Sequence, residues 1–457
     1  MLKKNIDGIF KAKRADNFGI PIPIVLNKHS QTSDQVANNT RRSFFSFSKW
    51  LIFTLIFSAS ILTFAPLTKN QTLADSASLY QLYQDGNYLI LFQNSDELRP
   101  TGGFIGSFGL LKIKDKKVAN FQIETNIYQK DDTFTKNYYI PQPDVIEEWR
   151  PNNSWNLRDS NWKADFSEAS QDIKWFFESQ YNQSIDGIIA INSNLLPEIL
   201  RITGPIESEE YGTLNADNIL TQVQTEVEEN YYKSAEGLKE NQPKMIIAKI
   251  FPDIATQAKS KKIQTAKLFL SALDKKNILF YFNDQREKLV NSENWGGAIV
   301  QTADNFLYIN NANLGGGKSS RQVAQNVQYT LNQNNLNLKI ERTLSNRSDN
   351  FPIDRNANYT RVFLPMGAKL DSATLAGEDI AKSVKQEIDG GKNSFGFWFI
   401  TNPNQTKSLE MNFVLPSGYD DLYLQKQPGA TGEKYKIDIN GEKVFEGGLE
   451  KDMGINY

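Results

Sequence analysis

Polar residues are frequent in the first forty-nine positions, and then comes one uncharged, nearly all apolar run, WLIFTLIFSASILTFAPL, from Trp50 to Leu67. A helix rises about 1.5 Å per residue, so this run, entered through the Phe-rich stretch from Phe44, can cross a bilayer core of roughly 30 Å. Trp50 and Phe44, Phe45 and Phe47 suit an interfacial belt, and Lys49 can snorkel. Arg41, Arg42 and Lys49 precede the run, whereas only Lys69 follows before Asp75. The positive-inside rule then predicts a cytoplasmic N-terminus. A cleaved leader would need a basic region roughly forty residues long, well beyond the usual pattern, which favours an uncleaved signal anchor. The expected order is a basic disordered tail at 1–43, an anchor at 44–67 and a polar stalk at 68–84.

Beyond the stalk the pattern is that of a folded body. Asn87–Asn94, Gly103–Ile113 and Val118–Glu124 have strand length and composition, the last two joined by a hairpin at Asp115-Lys116-Lys117. Phe166–Gln180 places Phe166, Ala169, Ile173, Phe176 and Phe177 on one helical face. Ile185–Asn192 reads as a buried strand, and Ser193–Ile202 as a helix opening on a Ser cap and stopping near Gly204-Pro205. Further helices are predicted between about 215 and 275, and ILFYF and FLYIN read as buried strands. The expectation is an α/β domain over 85–313. After Gly315-Gly316-Gly317 the chain turns to short alternating runs such as VQYTLN, LKIERTLS, FGFWFIT and KYKIDIN. That pattern predicts an all-β sandwich over 318–457.

Composition removes several kinds of chemistry. The 457 residues contain no cysteine and one histidine, His29 in the tail, so thiol and imidazole catalysis are closed to the folded body. Lys and Arg number 51 against 53 for Asp and Glu, so no overall field selects nucleic acid. Any reaction here would rest on carboxylates, Arg, Lys, hydroxyls or an oxygen-ligated metal.

Two strings concentrate such groups. In Asn94–Phe104, Glu97 and Arg99 sit beside Gly102 and Gly103 where a strand gives way to a turn. Glycines can turn N–H groups toward an anion and Arg can grip phosphate, although the same residues could simply brace the turn. In Leu157–Phe166, Arg158 offers a second anion contact, while Asp159 and Asp165 carry oxygens of the kind that suit Mg²⁺ held with substrate phosphates. Asp165 also stands where a helix N-cap is expected. Ala312–Ser319 has a relaxed phosphate-loop look, yet a strand follows it, so an interdomain loop is the reading.

The strings YLILFQNSDELRPTGGFIGSFGLL, LRDSNWKADF, SIDGIIAINSNLLPEILRITGPI, NWGGAI, NANLGGGKS and YLQKQPG resemble the bacterial envelope family numbered 4012 among domains of unknown function. They span residues 85–430. A weaker similarity, at the level of fold, is to the LytR–CpsA–Psr envelope enzymes, which join glycopolymers to the cell wall. That resemblance implies Arg and Asp acting with Mg²⁺ on a lipid pyrophosphate, with Arg99 and Arg158-Asp159 as counterparts. A clear copy of those enzymes' Arg-Asp signatures is missing.

The resulting expectation is a single-pass membrane protein with an extracytoplasmic body in the cell envelope. One reading makes it a glycopolymer transferase: Arg99, Arg158, Gly102 and Gly103 bind a lipid-linked phosphate, Glu97 and Asp159 act as catalytic carboxylates, and Asp159 and Asp165 hold metal. The other is a non-enzymatic envelope module that binds through its β-sandwich.

Overall fold

The computed structural model describes residues 24–25, 44–46, 70–227, 245–302, 304–316, 318–345 and 355–457. Residues 1–23, 26–43 and 47–69, with most of the expected tail and anchor, lie outside the described residues. Among those described, no helix is long and apolar enough to cross a membrane. Helix α1 (Asn70–Leu82) replaces the expected stalk. Its end is docked: Leu79, Leu82 and Tyr83 are buried, and Ser78 Oγ donates to Glu293 Oε1 at 2.7 Å. The few apolar residues of this helix gave the sequence no helical stripe to show.

An α/β region comes first. Strands β1 (Gly86–Asn94), β2 (Phe104–Lys114) and β3 (Lys117–Glu124) form an antiparallel meander. Asp115 and Lys116 both adopt φ 52°, the left-handed pair that a tight hairpin needs to follow strand twist. Strand β4 (Gly187–Asn192) returns parallel to β1, and β5 (Ile278–Phe282) adds antiparallel beyond it. Phe44–Ser46, expected at the entry to the anchor, is instead a short edge strand beside β3, and Ile24–Val25 pairs with Tyr138–Tyr139.

Alternation along β1 gives the sheet two apolar faces. Leu89 and Leu91 meet helix α3 (Phe166–Tyr181), which follows α2 (Ile127–Thr135) and buries Phe166, Ile173, Phe176 and Phe177. Asp165 caps α3, as expected. Tyr88 and Ile90 point the other way, toward α4 (Leu195–Thr203), α5 (Ile219–Thr225), α6 (Met245–Ser260) and α7 (Lys262–Asp274). Ser193 does not cap α4; its Oγ accepts the Ser95 N–H at 3.0 Å and ties the helix entry to the end of β1.

A β-rich region with two large sheets follows. In the six-stranded sheet, β6 (Asn305–Asn313) lies between Asn356–Leu364, antiparallel, and Asp421–Gln425, parallel. The seven-stranded sheet centres on Val323–Asn332 and Asn335–Leu344. Both sheets supply side chains to one core, including Leu307, Val362 and Phe397 from the first and Val327, Leu338 and Met411 from the second. Strand β6 contains FLYIN, which the sequence assigned to the α/β domain. A fully buried strand reads alike in either sheet, and the partners that place β6 lie far along the chain.

The two regions are interlocked. Trp162 packs on Tyr359 and Trp149 on Trp398, with centroids 6.0 and 5.0 Å apart. Gln427 Nε2 donates to the carbonyls of Arg99, at 3.2 Å, and Asn311, at 2.8 Å.

Candidate functional site

The two charged strings meet. Arg99 is 1% exposed. Its Nη2 donates to Glu97 Oε1 at 2.8 Å and lies 3.5 Å from Asp159 Oδ1, and its Nη1 donates to the Asn313 carbonyl. Asp159 also pairs with Arg150 at 3.7 Å and with Arg158 at 3.9 Å. Arg158 reaches Asp131 and Asp132, each at 3.7 Å. Asp132, at the rim, is largely exposed. Inside it, Arg99, Arg150 and Arg158 stand against Glu97, Asp131 and Asp159.

Local structure dictates this convergence. Leu98–Gly102 forms a turn in which the Gly102 N–H donates to the Arg99 carbonyl at 2.9 Å. The turn is pinned from the β-rich region, since the Leu98 N–H donates to Ser320 Oγ at 3.2 Å and Asn310 Nδ2 to the Pro100 carbonyl at 3.0 Å. Gly102, at φ 125°, packs against the Asn192 amide, where a Cβ would collide. Gly103 packs equally tightly on the Asn94 backbone. Both glycines are buried and packed closely at this junction, and the Gly102 N–H is committed to the Arg99 carbonyl.

Burial dominates the electrostatics. Glu97 is pushed up by desolvation, against the pull of Arg99, and Asp96 is likewise raised despite Arg321 at 3.4 Å. Asp131 is pushed up to about 6 by burial, opposed by Arg158 and by hydrogen bonds from Gln180 and the Leu157 and Arg158 backbone. Buried ion pairs of this kind hold a junction in register and are strongly destabilised when one partner is removed.

The metal expectation fits poorly. Asp165 Oδ1 accepts the Glu168 N–H at 3.1 Å and Oδ2 accepts the Ile299 N–H at 2.8 Å, so both oxygens are committed to backbone. Among the described residues no three His, Cys, Asp or Glu side chains are grouped to hold a metal.

What the sequence did not disclose is a cavity of about 420 Å³ between the sheet and helices α4 to α7. That volume lies in the range of small-molecule sites. Ile90, Phe92, Phe121 and Ile191 line it from the sheet; Leu196 and Ile199, Val223, Phe251 and Leu268 line it from the helices. Phe92, Ile191, Leu196, Ile199, Phe251 and Leu268 are each only partly buried, an unusual state for large apolar side chains inside a domain. One end is polar, with Asn94, Asp96, Glu97, Asn192 and Lys318. Phe104 and Tyr128 wall that end, with the Arg99 guanidinium 5.3 Å from the Phe104 ring and that of Arg158 5.1 Å from the Tyr128 ring. The ion-pair cluster therefore backs this polar part of a largely apolar cavity, to which Gln224 and Thr265 add polar side chains from the helices. Of its members, Glu97 lines the space directly.

Residues 84–227 match the family described as "Protein of unknown function (DUF4012)", as the resemblance implies. The matched segment contains both charged strings. No curated protein matches the chain. Among solved structures, the chain is similar to a putative nutrient binding protein of Legionella pneumophila at 8% identity, covering 27% of this chain and 51% of that one, with a TM-score of 0.20. An M1 zinc metallopeptidase of Deinococcus radiodurans aligns at 12% identity over 26% and 33% of the two chains, TM-score 0.16. The Lin1025 protein of Listeria innocua aligns at 14% over 47% and 79%, TM-score 0.22. The chain thus spans about half of the first of these proteins and a third of the second. Likenesses at these scores carry no argument, and the LytR–CpsA–Psr similarity finds no support among them.

Proposed function

We propose that this chain is a membrane-anchored, extracytoplasmic envelope protein whose α/β region holds the hydrocarbon chain of a lipid. The observation that carries this reading is the set of half-buried Phe, Ile and Leu side chains facing one largely apolar cavity. Apolar surface in that state gains when a hydrocarbon displaces water from it, by about 25 cal/mol per Å² covered. A head group would then rest at the polar end, beside Glu97.

Anchoring rests on the apolar run at 50–67 and the charge asymmetry around it. A crossing there is incompatible with the edge pairings of Ile24–Val25 and Phe44–Ser46, because strands on one side of a membrane cannot bond a sheet on the other. Pairings of two and three residues are marginal. Leu, Ile, Phe and Val each favour insertion by about 0.3–0.6 kcal/mol, so the run outweighs them. Protease added to intact spheroplasts is expected to digest the body and spare the tail. Digestion of the tail would favour the edge pairings and remove the anchor.

Lipid binding is tested by isothermal titration of octyl glucoside, below its micelle concentration, into the full chain held in amphipol. Saturable binding is expected, and Val223→Trp, which fills the cavity, should abolish it without lowering Tm. Binding unaffected by the substitution would overturn the reading. Binding that emerges only after deletion of residues 50–67 would make that segment the occupant instead.

The transferase reading is favoured by one observation: Glu97, Arg99, Arg158 and Asp159 gather behind the cavity's polar end. As the ions stand they pair with one another, and Arg99 presents no exposed face. A Glu97→Gln protein that binds lipid normally but loses transfer from a lipid pyrophosphate would support chemistry at this site. Absence of transfer by the unaltered protein would leave the binding module.

A further inference from the structure

The polar end of the cavity lies where two strands stop. Strands β1 and β4 run parallel, with Gln93 opposite Asn192. Their carboxyl ends therefore bring Asp96, just past β1, and Asn192, the last residue of β4, to one wall. Open α/β sheets commonly present ligand-binding groups outside the carboxyl ends of their strands.

We propose that the lipid held in this cavity carries an uncharged head group with hydroxyls, which donate hydrogen bonds to Asp96 and Asn192. This rests on the lipid-binding reading and names the head group. It sets the ligand apart from the lipid pyrophosphate that the LytR–CpsA–Psr resemblance implies.

Beyond position, two observations carry it. The first is a surplus of acceptors. Asp96 and Asn192 line the cavity and are 4% and 2% exposed. Asp96 Oδ1 and Asn192 Oδ1 each accept no hydrogen bond among the described residues. The Asn192 amide is oriented by its Nδ2, which donates to the Lys276 carbonyl at 3.1 Å, so the oxygen is the atom left over. Buried acceptors without a donor are costly, and native structures keep few of them. A hydroxyl-bearing head group supplies the missing donors, whereas a phosphate or carboxylate head brings further acceptors.

The second observation is charge. Among the described residues, the charged side chains of the lining are Asp96, Glu97 and Lys318. Lys318 acts on both carboxyl groups, drawing them toward ionisation. From outside the lining, Arg99 pairs with Glu97 at 2.8 Å and Arg321 with Asp96 at 3.4 Å. Each charge at this end is answered by a neighbour, so the wall favours neither an anionic nor a cationic head. Burial nevertheless raises both carboxyl groups above their ordinary values, toward a protonated form that itself donates. A hydroxyl both donates and accepts, and so serves either form.

The experiment is calorimetric titration of the full chain in amphipol, with octyl-chain probes below their micelle concentrations. 1-Monooctanoylglycerol and octyl glucoside carry hydroxyls; methyl octanoate, octyl phosphate and octylammonium are the comparison. Val223→Trp, which fills the cavity, reports the heat of partition into the amphipol. Both hydroxyl-bearing probes should bind at least about tenfold more tightly than the other three. Whichever of the two binds more tightly names the source of the hydroxyls, glyceride or glycoside, and either order supports the inference. Asp96→Leu and Asn192→Leu should each weaken the hydroxyl-bearing probes more than methyl octanoate. Equal weakening of all probes would show a packing role and overturn the inference. If neither variant folds, the ranking by the unaltered protein decides. Octyl phosphate or octylammonium binding most tightly, or methyl octanoate matching 1-monooctanoylglycerol, would overturn the head group while lipid binding stands. If no probe binds, the cavity reading and this inference fall together.

Discussion

The two regions use apolar residues in opposite ways. Between the sheets of the β-rich region the side chains close on one another: Leu338, Ile340, Phe399, Leu409 and Met411 are all fully buried in one cluster. The α/β region closes one face of its sheet equally well, with Phe108 packed edge-on to Phe177 at 5.6 Å. Its other face stops short, and the helices above it leave large side chains half covered around an empty volume. Unfilled volume forfeits dispersion contacts, so a domain that keeps such a space gives up stability for it. The β-rich region spends its hydrophobic residues on the fold, the α/β region partly on something that enters.

The sharpest way to break this contrast is to separate the regions. A fragment beginning at Lys318 lacks β6, the strand between Asn356–Leu364 and Asp421–Gln425, and is expected to show no cooperative melt by circular dichroism. A cooperative β-type melt would restore the sequence-based boundary at 318. The next test uses one substitution in both settings. Leu338→Ala in the closed core should cost about 2–5 kcal/mol. Leu268→Ala, at the cavity wall, should cost under about 1 kcal/mol in denaturant titrations, because its side chain is already partly uncovered. Similar losses at both sites would mean that the cavity wall is packed like a core.

The third test concerns pH. Asp131 is raised from 3.8 to about 6 by burial, so in this interval the folded chain binds the proton and the unfolded chain does not. Its contribution then makes the protein less stable as pH rises from about 4 through 6, by roughly 1–3 kcal/mol. Asp131→Asn should flatten that slope in denaturant titrations at pH 5 and pH 7; an unchanged slope would place the titration elsewhere.

Much of the fold was legible because local patterns sufficed. Strand length and composition marked β1 to β3, and a helical stripe with an Asp cap marked α3. Pairing across long distances was not legible, which is why β6 was placed in the wrong sheet. The charged strings were readable as chemistry, and Glu97, Arg99, Arg158 and Asp159 do meet, but sequence could not tell that they would neutralise one another in a buried junction. Asp131 and Arg150, which complete the cluster, stood outside both strings. The cavity left no local signal, because its lining is drawn from many separate segments whose Leu, Ile and Phe look like ordinary core. Of its lining, Glu97 was singled out beforehand as a candidate carboxylate, and Gly316 and Lys318 were read as part of a loop between domains.

The parallel pairings of the β-rich region have a consequence for when the molecule can exist at all. Asn305 pairs with Leu422 and Gln325 with Glu433, so each sheet draws a neighbour of its early strands from late in the chain. Closing such distant pairs costs loop entropy before any contact rewards it, which slows folding. During synthesis at about 5–20 residues per second, the early strands wait several seconds for those neighbours. A polypeptide that stays unfinished through that interval remains threadable, which suits the passage across a membrane proposed for this chain.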